Sequence, residues 1–268
     1  MDGLKKRKPI LALLLTLLTP GLGQIYNGQF KKGIIYLITF LLAYIIFSFL
    51  LFKFYGMIFY LIIMLGFYVF ILKDALRGAS KLKAIALKPY NKWYIYLILF
   101  VLSSVVIRPL LGWTIRNNIA KAYKIPSSAM EPAVLVGDYL ITDMKIYKSE
   151  KPMRGDIIIF EFPLDRSKDF IKRVIATEGE KVEIIQNKIY INDKLIDDPW
   201  GHFSMPRSSI ENYGPVMVPE GSLFVMGDNR DNSQDSRFWG FVNIEKVKGK
   251  PLYLYWAKNK SRIGMQLK

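Results

Sequence analysis

Three long runs of apolar residues constrain this chain more than any other feature of its sequence. They cover about residues 33–52 and 54–72, which carry no charge, and 93–113, in which Arg108 is the single charge. A helix needs about 20 residues to cross roughly 30 Å of hydrocarbon, so each run is long enough to span a bilayer. Three buried helices of a soluble protein would instead need to be apolar on every face. We therefore predict a multi-span α-helical membrane domain over residues 1–113.

The distribution of Lys and Arg predicts the orientation of the spans. Residues 73–92 carry six basic residues and one acid, and short loops rich in Lys and Arg stay in the cytoplasm. The third span then leads outward, so everything after it should be extracytoplasmic.

A shorter apolar segment over residues 9–26 precedes these spans. Its flanks at 5–8 and 31–32 are both basic, so both favour the same side of the membrane. The apolar stretch 10–18 makes only about 14 Å of helix, and Pro20 follows as a helix breaker. We predict a re-entrant or interfacial hairpin, with a fourth span as the alternative.

Beyond the third span the apolar runs become short. Seven of them are rich in β-branched and aromatic residues and bounded by Gly, Pro, Asn or Asp: YLITDMKIY, DIIIFEF, FIKRVIA, KVEIIQ, KIYIND, SLFVMGD and PLYLYWA. Such segments are typical of strands. The pattern predicts a polar linker over 114–122 and a mostly β domain over 123–268.

Several kinds of site are excluded by composition. The chain has no cysteine, so thiolate metal sites and cysteine nucleophiles are excluded. Its one histidine, His202, leaves little material for a histidine metal cluster or a Ser-His-Asp triad. The net charge of +16 could indicate binding of nucleic acid or anionic lipid. Much of that charge lies in the predicted cytoplasmic flanks, and no aromatic-basic recognition motif accompanies it. We expect no metal, no cofactor and no nucleic acid partner.

The stretch KIPSSAMEP lies just after the predicted linker and holds hydroxyl groups between two prolines. Proline fixes φ and pushes the preceding residue toward an extended conformation, so we predict a stiff, extended segment. Alternate side chains of an extended chain share a side. Ser127 and Ala129 should therefore point one way and Ser128 the other, unless the stretch is an ordinary Ser/Pro linker.

The strand FIKRVIA carries one cation on each face. Lys172 lies between Phe170 and Val174 on one face, and Arg173 lies on the other. Burial would lower the pKa of the lysine and give a neutral amine able to act as a general base. Arginine cannot take that role. The alternative is that both cations reach solvent at a sheet edge.

The stretch GDNRDNSQDSRFWGF predicts a tightly hydrogen-bonded turn because Asp, Asn and Ser dominate it. Calcium is the obvious rival. The spacing of an EF-hand is absent, and Arg230 and Arg237 offset much of the acid charge. A scaffolding loop is therefore the better interpretation.

Together these motifs resemble bacterial signal peptidase I, the membrane-bound serine protease of the Ser/Lys-dyad class that removes signal peptides from exported proteins. The resemblance covers about residues 93–268 and rests on IPSSAMEP followed by VGD, on RGDIIIF, on DFIKRVIATEGEKV and on GDNRDNSQDSRFWGF, in that order. It implies a catalytic domain of signal-peptidase type outside the bacterial cytoplasmic membrane, with preprotein signal peptides and the lipid bilayer as partners. The earlier membrane segments lie outside the usual family pattern, and the oligomeric state is left undetermined.

The resemblance also implies roles for single residues. Lys172 matches the general base, Ser233 the serine that orients it, and Ser127 the serine of the oxyanion hole. Asp235 and Arg237 match a polar pair that supports the same loop. The pockets for small side chains before the scissile bond, as in an A-x-A site, would be lined by Tyr123, Ile125, Pro126, Met130, Val134, Leu140, Ile159, Phe170 and Ile171.

Ala129 departs from the family pattern Pro-Ser-x-Ser-Met-x-Pro, whose second serine is the nucleophile. A methyl group has no oxygen to attack a carbonyl, and Ser128 should face the other way, so the chain as written should be inactive. Either a native serine has been replaced, or the protein is a natural pseudoprotease that binds signal peptides without cleaving them. One changed residue in an otherwise complete site favours the first explanation.

Overall fold

The computed structural model describes residues 4–82, 84–203 and 211–267. The chain divides into two compact units, residues 1–116 and 117–268. The elements of the first unit are β1 (Leu4–Lys5), α1 (Pro9–Leu18), α2 (Leu22–Tyr26), α3 (Phe30–Leu50), α4 (Phe54–Lys81), β2 (Ile85–Ala86), α5 (Trp93–Phe100) and α6 (Arg108–Asn118).

Three helices of the described chain are long and apolar enough to cross a membrane, by length and composition. They are α3, α4 and a continuous helix of 26 residues made of α5, a π-helical stretch at Val101–Ile107, and α6. The π-helical stretch precedes Pro109, whose ring and missing N–H disturb regular helical hydrogen bonding. The helix α4 ends nine residues beyond the predicted span 54–72, because helical hydrogen bonding continues through the polar residues that follow the apolar run.

The segment predicted as a hairpin forms two short helices, α1 and α2, joined through Gly21 at a φ of 97°. The ten residues of α1 make about 15 Å of helix, too short to cross a bilayer. Polar side chains of α2 and its C-cap bond to α4: Gln24 Nε2 donates to the Ile71 carbonyl at 3.0 Å, and Asn27 Nδ2 to the Ala75 carbonyl at 2.8 Å. The number of membrane crossings stays a prediction.

The second unit is mostly β, as predicted. Its strands are β3 (Ala120–Lys124), β4 (Tyr139–Asp143), β5 (Ile157–Phe162), β6 (Asp165–Thr177), β7 (Lys181–Ile185), β8 (Lys188–Ile191), β9 (Lys194–Leu195), β10 (Tyr213–Met217), β11 (Ser222–Met226), β12 (Val242–Asn243) and β13 (Val247–Trp256). One short helix, α7 (Ser236–Trp239), lies among the described residues of this unit after α6. The strands form an antiparallel seven-stranded sheet in the order β12-β11-β6-β5-β13-β4-β3 and a four-stranded sheet in the order β10-β7-β8-β9.

The segment 114–122, predicted as a polar linker, is regular structure. Its first residues continue α6, and its last ones begin β3, which pairs with β4 from Ala120 opposite Asp143 to Lys124 opposite Tyr139. The strand lies at the edge of the sheet, where lysines are common because they discourage further pairing. Those lysines interrupt the apolar pattern and hide the strand from the sequence.

The core of the second unit consists of buried side chains from neighbouring strands. One cluster joins β7, β8 and β11 through residues such as Val182, Ile189 and Phe224. Another joins β4, β5 and β13 to the segment after β3 through Leu140, Leu254 and several neighbours. This second cluster includes Ile125 and Met130, so it anchors KIPSSAMEP to the sheet.

Candidate active site

The sequence predicted that KIPSSAMEP is extended throughout. In the structure the chain turns at Ser128 instead. The Glu131 N–H donates to the Ser128 carbonyl at 3.0 Å, and the Val134 N–H donates to the Met130 carbonyl at 2.9 Å. Proline fixes φ at a value that turns share with extended chain, so the two prolines do not exclude a turn. The expected division of side chains still holds, since Ser127 and Ala129 line one pocket and Ser128 is not among the lining residues.

The loop 227–241 holds this turn by hydrogen bonds. The Asn229 N–H donates to the Ala129 carbonyl at 3.2 Å, and Asn229 Nδ2 donates to the Ser128 carbonyl at 3.2 Å. Asn232 Nδ2 donates to Ser128 Oγ at 2.8 Å. The contact is close enough that a Cβ at Gly227 would collide with the Ala129 carbonyl oxygen, so only glycine fits there.

Buried ion pairs fix the loop itself. Asp235 accepts from Arg237 Nε at 2.8 Å and Nη2 at 2.9 Å, and it also accepts from the Gly227 N–H at 3.0 Å. Arg173 on β6 donates to Asp228 through Nε at 2.8 Å and Nη2 at 2.7 Å. Both pairs are bidentate and almost fully buried. The predicted scaffolding loop is thus tied to the strand that carries Lys172.

Lys172 lies on β6 opposite Ile158 of β5, and its side chain is 4% exposed. Burial lowers its pKa from 10.5 to about 8; Asp235 and Asp228 act in the opposite direction, and Arg237 adds to the lowering. A substantial neutral fraction therefore exists near pH 8. Neither Lys172 nor Arg173 reaches solvent at a sheet edge, because the first is desolvated and the second is paired.

A pocket of about 290 Å³ joins the predicted catalytic positions. Its lining residues are Pro126, Ser127, Ala129, Asp169, Phe170, Ile171, Lys172, Asn232 and Gln234. The Phe170 ring centroid lies 5.7 Å from Lys172 Nζ. An amine, a hydroxyl and the β-carbon of the nucleophile position thus share one partly apolar cavity.

Ser233, Asp235 and Arg237 do not line this pocket. Ser233 Oγ is buried and has no hydrogen-bond partner among the described residues. It lies beside Gly227, at the position where a Cβ would also meet the Ala129 carbonyl. The proposed hydrogen bond from Ser233 to Lys172 is therefore not formed in this structure, although the hydroxyl is close to the site.

The nine residues predicted to bind substrate divide into three groups. Pro126, Phe170 and Ile171 line the pocket. Tyr123 donates its hydroxyl to Asp169, one of the lining residues, at 3.0 Å. The other five are core residues of the cluster under KIPSSAMEP and do not line the described pocket: Ile125, Met130, Val134, Leu140 and Ile159.

Three residues of the pocket were not predicted from the sequence: Asp169, Asn232 and Gln234. Asp169 is held by Lys248 Nζ at 2.7 Å, which contributes to a lowered pKa even though burial acts to raise it. The sequence signal for Asp169 was its position three residues before Lys172. Strand alternation places Asp169 and Lys172 on opposite faces, so the sequence did not predict that both line one pocket. The described pairing of β11 with β6 runs only from Arg173 to Thr177, so residues 169–172 lie at a strand edge.

The pocket brings an amine and a hydroxyl together without a cluster of metal-binding side chains among the described residues. Within residues 4–82, 84–203 and 211–267, no group of three His, Asp or Glu side chains converges as a metal site would require. A neutral buried amine beside a hydroxyl-bearing turn is the arrangement by which a base activates an oxygen nucleophile.

Comparison with known proteins identifies a family and several relatives of this chain. Residues 95–256 match the family described as signal peptidase, peptidase S26. A probable signal peptidase I-2 of Synechocystis is 37% identical over 183 residues, which cover 66% of this chain and 78% of that protein. Signal peptidase I of Aquifex aeolicus is 34% identical over 200 residues, covering 53% and 78% respectively. A crystal structure of a signal peptidase I from Enterococcus faecalis is 32% identical, with a TM-score of 0.33 over 38% of this chain and 97% of that one.

The family match covers more than half of the chain and includes β3 to β13, the pocket and the loop 227–241. This match shows that the chain belongs to the signal peptidase family, peptidase S26.

Proposed function

We propose that this protein is a signal peptidase I that works by a Ser/Lys dyad and whose nucleophile position is occupied by Ala129. The parent reaction removes N-terminal signal peptides from exported preproteins after small residues. The observation that carries the proposal is the buried amine of Lys172, with its lowered pKa, in the same pocket as Ala129 and Ser127. No other described lysine combines such burial with a pocket.

The residues support a definite sequence of proton transfers in the Ala129→Ser variant. Neutral Lys172 takes the hydroxyl proton, and the oxygen attacks the carbonyl carbon of the scissile bond. The Ser127 hydroxyl and the backbone N–H of residue 129 stabilise the oxyanion, each donor contributing roughly 10² to 10³ in rate. The Lys172 ammonium then protonates the leaving amine. A water that Lys172 deprotonates attacks the acyl ester and releases the product.

The open edge of β6 supports an extended substrate. Residues 169–172 lie beyond the described pairing with β11, so their backbone groups are available to an added strand. Alternate substrate side chains would then face the pocket. This agrees with a preference for small residues at the first and third positions before the cut.

Three apolar helices in the first unit support a place in the membrane. The basic segment between α4 and α5 favours a cytoplasmic position for that loop and, across the next helix, a position of the second unit outside the bacterial cytoplasmic membrane. A preprotein bound there has just crossed the same membrane, which fits the proposed substrate.

A capture protein is the second candidate, and Ala129 itself favours it. A methyl group leaves the pocket and strand edge intact while removing the attacking oxygen, so the chain as written should bind signal peptides without cleaving them. Whether a native serine was replaced or alanine is natural does not change this expectation for the chain itself.

Restoring the hydroxyl tests the proposal. The full chain and its Ala129→Ser variant, each in liposomes, would be incubated with a preprotein bearing an A-x-A site, and the products identified by mass spectrometry. We expect cleavage after the second alanine by the variant alone, and none when Lys172→Ala is added to it. If the Ala129→Ser variant binds the preprotein and leaves it whole, the protein is a capture module and the dyad proposal is wrong.

A further inference from the structure

The first unit contains a buried cation that the peptidase proposal does not use. Arg7 is 6% exposed, although it precedes α1 in a strongly basic stretch. Its guanidinium carbon lies 4.3 Å from the centroid of the Tyr26 ring. Nε and Nη2 of Arg7 are buried and have no hydrogen-bond partner among the described residues. Guanidinium groups are rarely buried without an anion, because desolvation of the charge is costly.

The described part of the first unit offers Arg7 no free carboxylate. Residues 1–116 carry fifteen Lys and Arg but only two acids, Asp2 and Asp74. Asp74 is bound to Lys32 Nζ at 2.6 Å and accepts from Gln24 Nε2 at 3.1 Å. Asp2 lies outside the described residues. Among the described residues of the first unit the guanidinium therefore has no anionic partner, and an external anion would supply one.

Arg7 lines a cavity of about 480 Å³ whose remaining wall is mostly apolar. This volume is within the roughly 300–1,000 Å³ of small-molecule sites. Two helical stripes form the apolar wall, one on α1 and one on α5: Leu11, Leu15 and Leu18, and Trp93, Leu97 and Phe100. Each stripe follows the spacing of three and four residues that keeps side chains on one helix face.

Two polar residues of the cavity lie just before these helices, and the hydroxyl-bearing Tyr26 and Tyr96 also line it. Arg7 precedes α1, and Asn91 precedes α5. The first turns of both helices carry no acidic residue, and neither has a side-chain cap. Helix N-termini attract anions, so the partial charges there act in the same direction as the guanidinium. An anion at this end would have apolar surface continuing from it along both helices.

We propose that this cavity binds one anionic phospholipid, with its phosphate at Arg7 and an acyl chain between the stripes of α1 and α5. A phosphate is a bidentate partner for a guanidinium, and three apolar helices of bilayer length supply the surroundings in which lipid is the available ligand. The apolar segment of a signal peptide would fit the stripes but not the charge. Its flanking region is positive and would be repelled by Arg7.

Native mass spectrometry of the full chain, stripped of lipid in detergent, tests this directly. Phosphatidylglycerol and phosphatidylcholine with identical acyl chains would be titrated separately. We expect one tightly bound phosphatidylglycerol, and an affinity about tenfold lower in the Arg7→Gln variant, because a charge-assisted interaction is lost. Lys6→Gln removes the same charge from an exposed neighbour and should bind as the parent does. The readout involves neither Ala129 nor Lys172, so it is independent of the peptidase proposal.

A second variant covers the case in which Arg7→Gln does not fold. Leu97→Trp narrows the apolar part of the cavity and leaves the guanidinium in place, and it should lower the affinity for phosphatidylglycerol as well. Equal binding of the two lipids, equal loss in Lys6→Gln and Arg7→Gln, or binding of glycerol phosphate without acyl chains as tightly as the lipid would each overturn the proposal. So would displacement of the lipid by a synthetic signal peptide at equal concentration.

Discussion

Lys172 shows how burial on a strand lowers the pKa of a strongly basic side chain. The strand β6 fixes it opposite the buried Ile158, where the ammonium has lost most of its water. The carboxylates of Asp235 and Asp228 would stabilise the ammonium, but each is already paired with an arginine. Burial therefore has the larger effect, and the pKa falls to about 8.

Catalysis by the Ala129→Ser variant should follow the ionisation of this amine. Below pH 8 the reactive neutral fraction falls tenfold per pH unit, so kcat/KM should rise with that slope and level off above about pH 8. The measurement is the initial rate on a preprotein at subsaturating concentration between pH 5 and 9. A profile that is flat over this range would exclude a lysine base.

The same pKa shift makes a prediction about stability. The pKa of Lys172 is lower in the folded state, about 8 against 10.5, so the unfolded state binds more protons between these values and the fold gains stability as pH rises through them. At roughly 1.4 kcal/mol per pKa unit, the buried amine costs about 3 kcal/mol at pH 7. Lys172→Met, which keeps the length without the charge, should raise the free energy of unfolding by up to that amount.

This advantage of Lys172→Met should shrink as pH rises from 8 toward 10.5, because the folded-state lysine is already neutral there and the unfolded-state lysine increasingly loses its proton as well. Denaturant unfolding of the full chain in detergent at pH 7 and pH 10 gives the comparison, and taking the difference between variant and parent removes the other titrating groups. An advantage that does not depend on pH would contradict a lowered pKa.

Single residues could be predicted where chemistry demands one residue type. A base that must lose its proton pointed to Lys172, and two hydroxyl-bearing residues, Ser127 and Ser128, precede Ala129 in the sequence. The hydrophobic residues of the pocket were harder to predict, because buried apolar side chains on strands, such as Leu140 and Ile159, suit a core and a pocket equally well. In the structure both belong to the core. Asp169 was missed because the pocket wraps around a strand edge, which strand alternation does not describe.

At the scale of elements, the loop 227–241 joins two parts of the site. Its amides hold the turn of Ser128 and Ala129, and its carboxylate Asp228 holds Arg173 on β6. Arg173 Nη1 also donates to the Gly155 carbonyl at 2.6 Å. The nucleophile position and the base are thus positioned by one loop, through different contacts.

Breaking the ion pair between Arg173 and Asp228, which joins the loop to β6, should destabilise the fold. Arg173→Met leaves the Asp228 carboxylate buried without its partner and should lower the free energy of unfolding by roughly 3–5 kcal/mol. Adding Asp228→Asn removes the orphaned charge and should recover more than half of the loss, as measured by denaturant unfolding. Lys168→Met removes an exposed pair with Asp165 and should change little. A double variant as unstable as Arg173→Met alone would show that the desolvated carboxylate is not the cause.

Elements could be predicted where apolar residues recur with one period. The seven strands named from the sequence lie within or overlap observed strands, since burial imposes alternation on them. The edge strand β3 was not predicted because its lysines interrupt the apolar pattern. The turn at Ser128 was not predicted because proline limits φ without determining ψ. Pairing across the sheet and contacts of the loop depend on residues far apart in the chain, which local pattern cannot supply.

At the scale of the molecule, the sequence separates a helical apolar unit from a β unit because the two are folded by different constraints. Helices in a bilayer must satisfy their backbone internally and are apolar over about 20 residues. Strands of the second unit instead alternate or run short. Composition alone therefore divides the chain, while the number of crossings depends on α1 and α2, whose length and basic flanks are ambiguous in the sequence.

Single cysteines can resolve this topology, because the chain has none of its own. Lys6→Cys, Ser80→Cys and Ser261→Cys are at exposed positions, and each would be treated with a membrane-impermeant maleimide in spheroplasts before and after lysis. We expect Ser261→Cys to react before lysis and the other two only afterwards, because basic flanks stay inside and α1 is too short to cross. Reaction of Lys6→Cys before lysis would make α1 and α2 a fourth crossing. Protection of Ser261→Cys until lysis would place the β unit in the cytoplasm, where exported preproteins have not yet crossed, and the peptidase proposal would fail with it.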